Sequence, residues 1–425
     1  MKIIRVRAKN FKSFAELDLE LNNLNVFIGA NASGKSNFVR VFDFLRNIAE
    51  HGLDNAISME GGVEYLRNTN LKARENLEIS VTYEVGFGFT HKTELGTVGV
   101  KVTEVEYKFV IRFHQRGAGF KIVQDSLGLS YEFVRLEAGD GKWSELEQLG
   151  TGQGEIFVNG RRMVKTRVEA PEELGLTAEE LVLPGLLSGE FELPPQKLLL
   201  ETPFFEFAHR LNSPFSSFAI YDFDAKLPKR ATSITGLREL EENGSNLSIV
   251  LKNISDDKEK KRKFLNLIGD LLPFIKDFNV RDLADKSVLF TVNEEYAATK
   301  SFLPASFISD GTVNMLALIV ALYFEDKAPM VFEEPERNIH AHLISNLVNM
   351  FEDVSRNKQL IITTHNPEVV RFVPQEHLYL VSRNEQGYTE IHRPSESEEV
   401  QVFLENDIGI EELYVQDLLG VAHVN

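Results

Sequence analysis

The stretch Gly29-Ala30-Asn31-Ala32-Ser33-Gly34-Lys35-Ser36 decides the fold, because it matches the pattern GxxxxGK[ST] at every required position. It follows the apolar run Val26-Phe27-Ile28 and precedes a segment predicted as an amphipathic helix from about Lys35 to Glu50. In such a strand–loop–helix unit, glycines let backbone N–H groups surround a phosphate at the positive end of the helix. The sequence therefore predicts a phosphate-binding loop, with Lys35 on the phosphates and Ser36 on Mg²⁺. This setting disfavours the alternative of a glycine turn without a ligand.

A second motif places two acids at the end of an apolar strand, in Met330-Val331-Phe332-Glu333-Glu334-Pro335-Glu336. The carboxyl ends of strands in open α/β sheets are where ligands bind. Glu333 is predicted to hold Mg²⁺ and its waters, and Glu334 to polarise the attacking water as general base. Taken alone, the same residues also fit an acidic corner on the surface.

Two further motifs complete the set. His365 directly follows the predicted buried strand Leu360–Thr363, one helix after Glu334, and can reach a γ-phosphate. The segment Phe307-Ile308-Ser309-Asp310-Gly311 opens a helix, whose N-terminus favours anions. Alone, the first motif fits a structural histidine and the second an ordinary N-cap. His340 and His342 lack a third ligand at metal spacing and are interpreted as structural.

The rest of the chain divides into four segments by its pattern. Strands, the loop and its helix occupy residues 1–76, with strands predicted at 2–8 and 17–28. An antiparallel β region with a mixed extension spans 77–230, a helical lobe 231–300, and the remaining motifs with a tail 301–425. Strict alternation around Val105 to Phe113 predicts half-buried strands, and Asn159-Gly160 predicts a hairpin. The glycines near 86–88, 117–119 and 150–154 are interpreted as turns, and residues 233–274 as helical.

Composition limits the classes of function. The chain has 425 residues, a net charge of −18 and no cysteine, which suits a reducing cytoplasm. The N-terminus has no signal-peptide pattern, and the longest apolar runs are too short to span a bilayer. An acidic chain repels DNA, so direct DNA binding is disfavoured but stays possible. The densest basic run, Lys258 to Lys263, is interpreted as a solvated helix face.

The order of these motifs resembles ABC-type ATPases, and specifically the soluble branch that includes SMC, RecF and the OLD-type proteins. Asn10-Phe11-Lys12-Ser13-Phe14 looks like the strand turn of that branch near the nucleotide. Stretches such as GGVEYL (61–66) and NGSNLSIVLKNI (243–254) resemble small bacterial ATPases with an ABC-type AAA domain. The resemblance implies an α/β ATPase head with a P-loop parallel sheet, an antiparallel β insertion and a short helical lobe, without a long coiled coil.

The resemblance also implies a set of site residues for ATP and Mg²⁺. Glu334 and His365 would be catalytic, and Ser36 and Glu333 would bind the metal. The nucleotide-binding residues would be Lys12, Gly29, Asn31, Ser33, Gly34, Lys35, Ser36, Asn37, Ser309 and Gly311. Ser309 and Gly311 would contact the γ-phosphate held by a second subunit, so that two heads close over two ATP molecules.

This sequence departs from the transporter pattern at three points. It has Ser-Asp-Gly where transporters have Ser-Gly-Gly-Gln, and Glu333 where they have aspartate. No glutamine coupling metal to lobe movement can be placed, since Gln115 and Gln124 lie in the β region. The first two departures lean away from a transporter motor, and the third leaves the coupling residue open.

By resemblance, we expect a cytoplasmic ATP-switched homodimer, or a higher homo-oligomer, that controls a separate effector. That effector would be a nuclease in defence against phage. About 60 residues follow His365, too few for a nuclease module, so any nuclease is expected to be another protein. The alternative is a RecF-like ATPase that binds DNA directly in repair or clamp loading.

Overall fold

The computed structural model describes residues 2–71, 75–114, 117, 119–139, 142–177, 181, 191–202, 214–234, 238–296, 301–396 and 410–416. Gln115 and residues 203–213 of the Phe-rich stretch at 201–224 lie outside these ranges. The described chain forms two compact units. Unit 1 comprises Met1–Asn22, Asn37–Phe218 and Arg383–Ile391, and unit 2 comprises Asn23–Ser36, Ala219–Ser382 and His392–Asn425. The four segments predicted from the sequence follow one another along the chain, whereas each unit combines several separate ranges. The predicted domain division therefore stays a prediction.

Seventeen strands are found in the described chain. In chain order they are β1 (Lys2–Phe11), β2 (Phe14–Glu20), β3 (Leu24–Ile28), β4 (Leu77–Thr93), β5 (Gly96–Phe113), β6 (Phe120–Gly139), β7 (Lys142–Val158), β8 (Val164–Glu169), β9 (Ala219–Tyr221), β10 (Thr232–Ser233), β11 (Ile275–Asp282), β12 (Ser287–Glu294), β13 (Leu303–Pro304), β14 (Met330–Glu333), β15 (Leu360–Thr364), β16 (Leu378–Arg383) and β17 (Thr389–His392).

The α-helices of the described chain are short. They are α1 (Lys35–His51), α2 (Leu53–Met59), α3 (Val63–Leu66), α4 (Leu247–Asp256), α5 (Lys258–Leu271), α6 (Asp310–Phe324), α7 (Ile344–Ser355), α8 (Pro367–Phe372) and α9 (Ile410–Val415). The longest, α1, has 17 residues. No long coiled coil therefore exists in the described ranges, and none of their helices is long and apolar enough to cross a bilayer.

Unit 1 is built on a seven-stranded antiparallel sheet with the order β2-β1-β4-β5-β6-β7-β8. The alternation predicted for β5 is confirmed for most positions, because Val105, Tyr107, Phe109, Ile111 and Phe113 are all buried while the polar residues between them are more exposed. Val110, on the alternate face, is buried as well. The hairpin predicted at Asn159-Gly160 is also present between β7 and β8, where the Asn159 N–H donates to the Met163 carbonyl over 3.0 Å. Period-two burial thus fixes which face of this sheet packs inward.

Two of the three glycine clusters interpreted as turns lie inside strands instead. Gly88 belongs to β4, where a Cβ would approach the Val100 carbonyl oxygen to 2.8 Å. Gly152 belongs to β7, where a Cβ would lie 2.6 Å from the Glu169 carbonyl oxygen. These glycines allow close backbone approach in long strands. Gly117 and Gly119 of the remaining cluster lie in the turn between β5 and β6, where Gly117 has φ 82°.

Unit 2 contains a parallel sheet in which five of its strands have the order β16-β3-β15-β14-β9. The residues of β3 and β15 are all buried, as expected for parallel strands covered on both faces. Helix α6 is buried along Thr312–Leu322 and belongs to the same core as these strands. The strand predicted at 17–28 is wrong as one element, because β2 ends at Glu20 in the antiparallel sheet and β3 begins at Leu24 in the parallel one.

A small second lobe of unit 2 combines the sheet β10-β12-β11 with α4 and α5. The helical stretch predicted at 233–274 is wrong before Leu247, because Ser233 lies in β10 and α4 begins at Leu247. It is also interrupted at Asp257, which adopts an extended conformation and caps α5 by accepting from the N–H groups of Glu259 and Lys260. The basic run of α5 is largely exposed, and Lys261 pairs with Asp277 at 3.0 Å. It therefore forms a solvated helix face, as interpreted from the sequence.

Candidate nucleotide-binding site

The loop between β3 and α1 has the backbone that a phosphate loop needs. Gly34 has φ 115°, a region that strongly favours glycine. At Gly29 a Cβ would lie only 2.1 Å from the Val381 carbonyl oxygen of the neighbouring strand. Ser33 is buried and Asn31 is exposed. The loop is therefore fixed against the sheet while its outer residues face solvent.

Lys35 is folded into this loop. Its ammonium Nζ donates to the carbonyl oxygens of Gly29 at 2.6 Å and Ala30 at 2.8 Å. Burial lowers the pKa of Lys35, and the negative charges of nearby acids, Glu334 foremost, oppose that shift. A desolvated ammonium beside the helix N-terminus is suited to a phosphate anion.

Ser36 and Glu333 supply the oxygen atoms for a metal site. The Ser36 hydroxyl donates to Glu333 Oε2 over 2.7 Å, so the first turn of α1 and the end of β14 meet at the carboxyl edge of the sheet. A hydroxyl and a carboxylate are ligands that Mg²⁺ prefers, with water and phosphate oxygens completing its octahedron. These two residues therefore fit the metal that the sequence motifs imply.

Glu334 follows in a constrained backbone conformation, with φ 45°. Its N–H donates to the Thr363 carbonyl of β15 at 2.9 Å. His365 Nδ1 lies 2.9 Å from Glu334 Oε1, and Arg337 Nη2 donates to Glu334 Oε2 at 3.1 Å. Burial works to raise the pKa of Glu334, but these two hydrogen bonds hold it below its ordinary value. The carboxylate is thus ionised and able to accept a proton.

Glu336 is the most buried acid of this edge, at 4% exposure. Its Oε1 accepts a hydrogen bond from the Thr364 hydroxyl, while Oε2 is buried and has no hydrogen-bond partner among the described residues. Burial raises the pKa of Glu336. Thr364 Oγ1 also accepts from the Asn366 N–H at 3.0 Å. These hydrogen bonds therefore involve the residues on both sides of His365.

Ser309 and Gly311 lie at the start of α6. The Ser309 hydroxyl caps the helix by accepting from the Thr312 N–H at 3.1 Å, and Ser309 is exposed. A Cβ at Gly311 would approach the Asn338 carbonyl oxygen to 2.3 Å, so only glycine fits. Across the described ranges, neither residue hydrogen-bonds to Lys35, Ser36, Glu334 or His365. The cap itself is structural, and contact with a nucleotide stays a prediction.

Lys12 and Asn37 belong to unit 1 and are engaged there. Lys12 Nζ pairs with the buried Glu60 carboxylate at 2.5 Å, and the Asn37 amide donates to the Ser13 hydroxyl at 2.7 Å. Their nucleotide-binding roles remain predictions. His340 and His342 contact each other at 2.8 Å between their Nδ1 atoms, and no group of three potential metal ligands exists in the ranges that the structure describes.

Sequence reasoning brought together Lys35, Ser36, Glu333, Glu334 and His365, and it missed two neighbours of Glu334. Arg337 was given no role, although its spacing of three residues from Glu334 is short enough for one turn to bring them together. Asp222, just after β9, accepts from Arg337 Nη1 at 3.1 Å. A single sequence carries no signal for that contact, since Asp222 lies more than 100 residues away.

Comparisons with known proteins agree with this geometry. The fold and the strand-end residues define an ABC-type ATPase head of the SMC/RecF branch. The chain belongs to the family described as "AAA domain, putative AbiEii toxin, Type IV TA system", whose model matches residues 24–371. This membership and the observed sheets confirm the predicted fold class: a P-loop parallel sheet, an antiparallel β insertion and a short helical lobe.

Local similarity links the chain to RecF. It is 40% identical over 52 residues to the DNA replication and repair protein RecF of Lactococcus lactis subsp. lactis (strain IL1403), and 38% identical over 52 residues to RecF of L. lactis subsp. cremoris (strain MG1363). Each match covers 12% of this chain and 14% of the relative. The chain thus matches only a small part of each relative.

A solved structure extends the likeness to most of the fold. The SMC head bound to the C-terminal winged-helix domain of ScpA has a TM-score of 0.50 and 13% identity, and the alignment covers 92% of this chain and 97% of that one. At this identity the likeness concerns the fold alone.

Proposed function

We propose that this chain is a Mg²⁺-dependent ATPase whose nucleotide cycle switches a separate effector protein. The observation that carries the proposal is the meeting of the Ser36 hydroxyl with Glu333 at 2.7 Å, next to the Glu334–His365 pair at 2.9 Å. Three strand ends thus deliver a phosphate loop, a metal ligand pair and a base to one edge of a sheet.

Each residue has a distinct task in this proposal. The loop N–H groups and Lys35 bind the phosphates of ATP, and Ser36 and Glu333 hold Mg²⁺, which would neutralise charge on the β- and γ-phosphates. Glu334 accepts a proton from the attacking water. His365 orients Glu334 through its Nδ1–H, because an ionised carboxylate can only accept a hydrogen bond.

The switch would operate through a homodimer. Ser309 is exposed at the start of α6, where the helix dipole favours an anion. In the proposal it reaches the γ-phosphate bound by a second subunit, so ATP closes two heads and hydrolysis opens them. A cytoplasmic setting follows from the proposed role.

The output of the switch would lie in another protein. The described residues contain no cluster of three metal ligands for work on a second substrate, and in this proposal the change between ATP and ADP states is delivered to another protein. We place the effector contact on the β region at 77–168 or on the Phe-rich stretch at 201–224. In this proposal the effector is a nuclease in OLD-like defence against phage, a role with which the family description "putative AbiEii toxin, Type IV TA system" is compatible.

Hydrolysis of ATP by the purified chain tests the proposal. With Mg²⁺ present, we expect turnover by the wild type and loss of tight ATP binding or turnover in Lys35→Ala, because Lys35 supplies charge-assisted bonds to phosphate. Unchanged hydrolysis by Lys35→Ala would remove residues 29–36 from the site. Circular dichroism of both proteins serves as the control for folding.

A RecF-like DNA-binding ATPase is the second candidate, favoured by the local identity of 40% to RecF. The net charge of −18 opposes it. The purified chain is to be incubated with DNA and RNA, with ATP and Mg²⁺. Tight DNA binding near physiological salt, or cleavage by the chain alone, would place the DNA-acting function first. Absence of both supports a separate effector.

A further inference from the structure

Each carboxylate oxygen of Glu334 has a nitrogen hydrogen-bond partner, one from a histidine and one from an arginine. His365 Nδ1 is 2.9 Å from Oε1, and Arg337 Nη2 is 3.1 Å from Oε2. A general base has to direct an oxygen at the water whose proton it accepts. His365 already contacts Oε1, so the group has one orienting partner without Arg337. Arg337 occupies Oε2, the oxygen that is left to face the water.

Arg337 is also anchored on its far side. Its Nη1 donates to Asp222 Oδ1 at 3.1 Å, so the guanidinium joins the carboxylates of Asp222 and Glu334. The side chains of Arg337 and Asp222 are 44% and 57% exposed, whereas that of Glu334 is 23% exposed. The arginine thus lies at the rim of the site, where its side chain has room to leave Glu334 without unpacking the core.

The backbone under Arg337 is fixed separately from its side chain. The Arg337 N–H donates to the Glu334 carbonyl at 3.0 Å, and the Arg337 carbonyl accepts from the buried Asn314 amide of α6 at 2.6 Å. These bonds hold the turn after Glu334 whatever residue occupies position 337. Substitution at 337 therefore tests the guanidinium rather than the loop.

We propose that Arg337 is a positioning residue that restrains Glu334, that Asp222 anchors this restraint, and that turnover requires the guanidinium to release the carboxylate. The inference rests on the proposed ATPase function. Asp222 holds Arg337 beside Glu334 through the other branch of the guanidinium fork, and the restraint is reversible because Arg337 can stay on Asp222 when Glu334 turns to water.

The test is steady-state ATP hydrolysis by Arg337→Gln. We expect kcat to rise about three- to tenfold, the effect on a barrier of one partly exposed, solvent-screened ion pair, with KM for ATP changed less than about twofold. Asp222→Asn should raise kcat less, and Arg337→Lys, which keeps the charge without the fork, should lie between wild type and Arg337→Gln. The matched control is Arg356→Gln, because Arg356 is 78% exposed and its ion pair with Asp353 is long, at 4.0 Å. This variant should leave kcat unchanged.

A double variant shows whether Arg337 acts through Glu334. In a Glu334→Gln background, Arg337→Gln should no longer raise the residual kcat, whereas an effect on general stability would persist. A fall or no change of kcat in Arg337→Gln, while the wild type hydrolyses ATP, would overturn the restraint and leave the ATPase proposal standing. Turnover by neither wild type nor Arg337→Gln would overturn both. Turnover that appears only in Arg337→Gln supports both.

Discussion

The parallel sheet of unit 2 and the antiparallel sheet of unit 1 distribute their ionisable side chains differently. Parallel strands end at the same edge, so β3, β14 and β15 bring Lys35, Glu333, Glu334 and His365 together. Antiparallel strands end at opposite edges, and their charges lie across an exposed face in pairs such as Arg5 with Asp18 at 2.6 Å. Parallel strands thus place charged side chains in one cluster at a sheet edge, whereas antiparallel strands place them in separate ion pairs on a sheet face.

The most buried acid of each unit, among the described residues, has different partners. Asp125 accepts from the Tyr107 hydroxyl at 3.1 Å and from the Leu199 N–H at 2.7 Å, so both its oxygens are satisfied within unit 1. Within the described part of the chain, Glu336 in unit 2 has a hydrogen-bond partner only at Oε1, namely Thr364. The first acid ties β6 to the segment at 191–202, whereas the second supports the turn that carries His365. The following predictions test this contrast between a reactive and a structural arrangement.

The largest effect is expected for Glu334→Gln. Glutamine keeps the shape of the side chain but cannot accept a proton from water, so hydrolysis should slow at least about a hundredfold while ATP still binds. Because ATP then persists, the variant should accumulate closed dimers. Single-turnover hydrolysis and light scattering in saturating ATP and Mg²⁺ measure the two results.

The control for that dimer is Ser309→Arg, which places a bulky side chain at the exposed start of α6 without touching the phosphate loop. It should bind ATP yet form no dimer and show no turnover. Monomers of Glu334→Gln in saturating ATP would contradict the role of Ser309 in a second subunit, whereas normal turnover by Ser309→Arg would do so independently.

An intermediate effect is expected at Asp125. Burial raises the pKa of Asp125 to about 7, against about 3.9 for a free aspartate. The folded state therefore binds more protons between these values, and stability from this group falls as pH rises from about 4 to 7, by up to about 4 kcal/mol. Denaturant unfolding across this pH range should show the slope in the wild type and a flatter profile in Asp125→Asn, which keeps the size of the side chain. Equal slopes would contradict a buried titrating acid.

The smallest effect is expected at the exposed pair of Arg5 and Asp18. The hydrogen bond from Arg5 lowers the pKa of Asp18, so the stability of the pair is present above the ordinary aspartate pKa and is lost as pH falls through the lowered value. Both side chains are more than one-third exposed. Arg5→Ala should therefore cost under about 1 kcal/mol in denaturant unfolding at neutral pH. A cost comparable to that at Asp125 would show that the sheet face is not screened by solvent.

The sequence predicts the site well because its chemistry depends on residues adjacent to strands. Gly29 to Ser36, Glu333-Glu334 and His365 each follow an apolar run. Parallel pairing of these strands brings their carboxyl ends together, and this does not depend on how the rest of the chain packs. The contact of Arg337 with Asp222 depends on how two distant loops meet, and no local pattern encodes it. Gly88 and Gly152 were misinterpreted for a similar reason, because the close backbone neighbour that requires glycine is on another strand.

The most direct test of the central claim is equilibrium binding of ATP, with Mg²⁺, to the wild type and to Lys35→Ala at matched concentration. The account predicts saturable, Mg²⁺-dependent binding by the wild type and at least about a tenfold weaker affinity for the variant, the loss expected for a charge-assisted contact to phosphate. Equal affinity in the two folded proteins, or no ATP binding by the wild type, would contradict it.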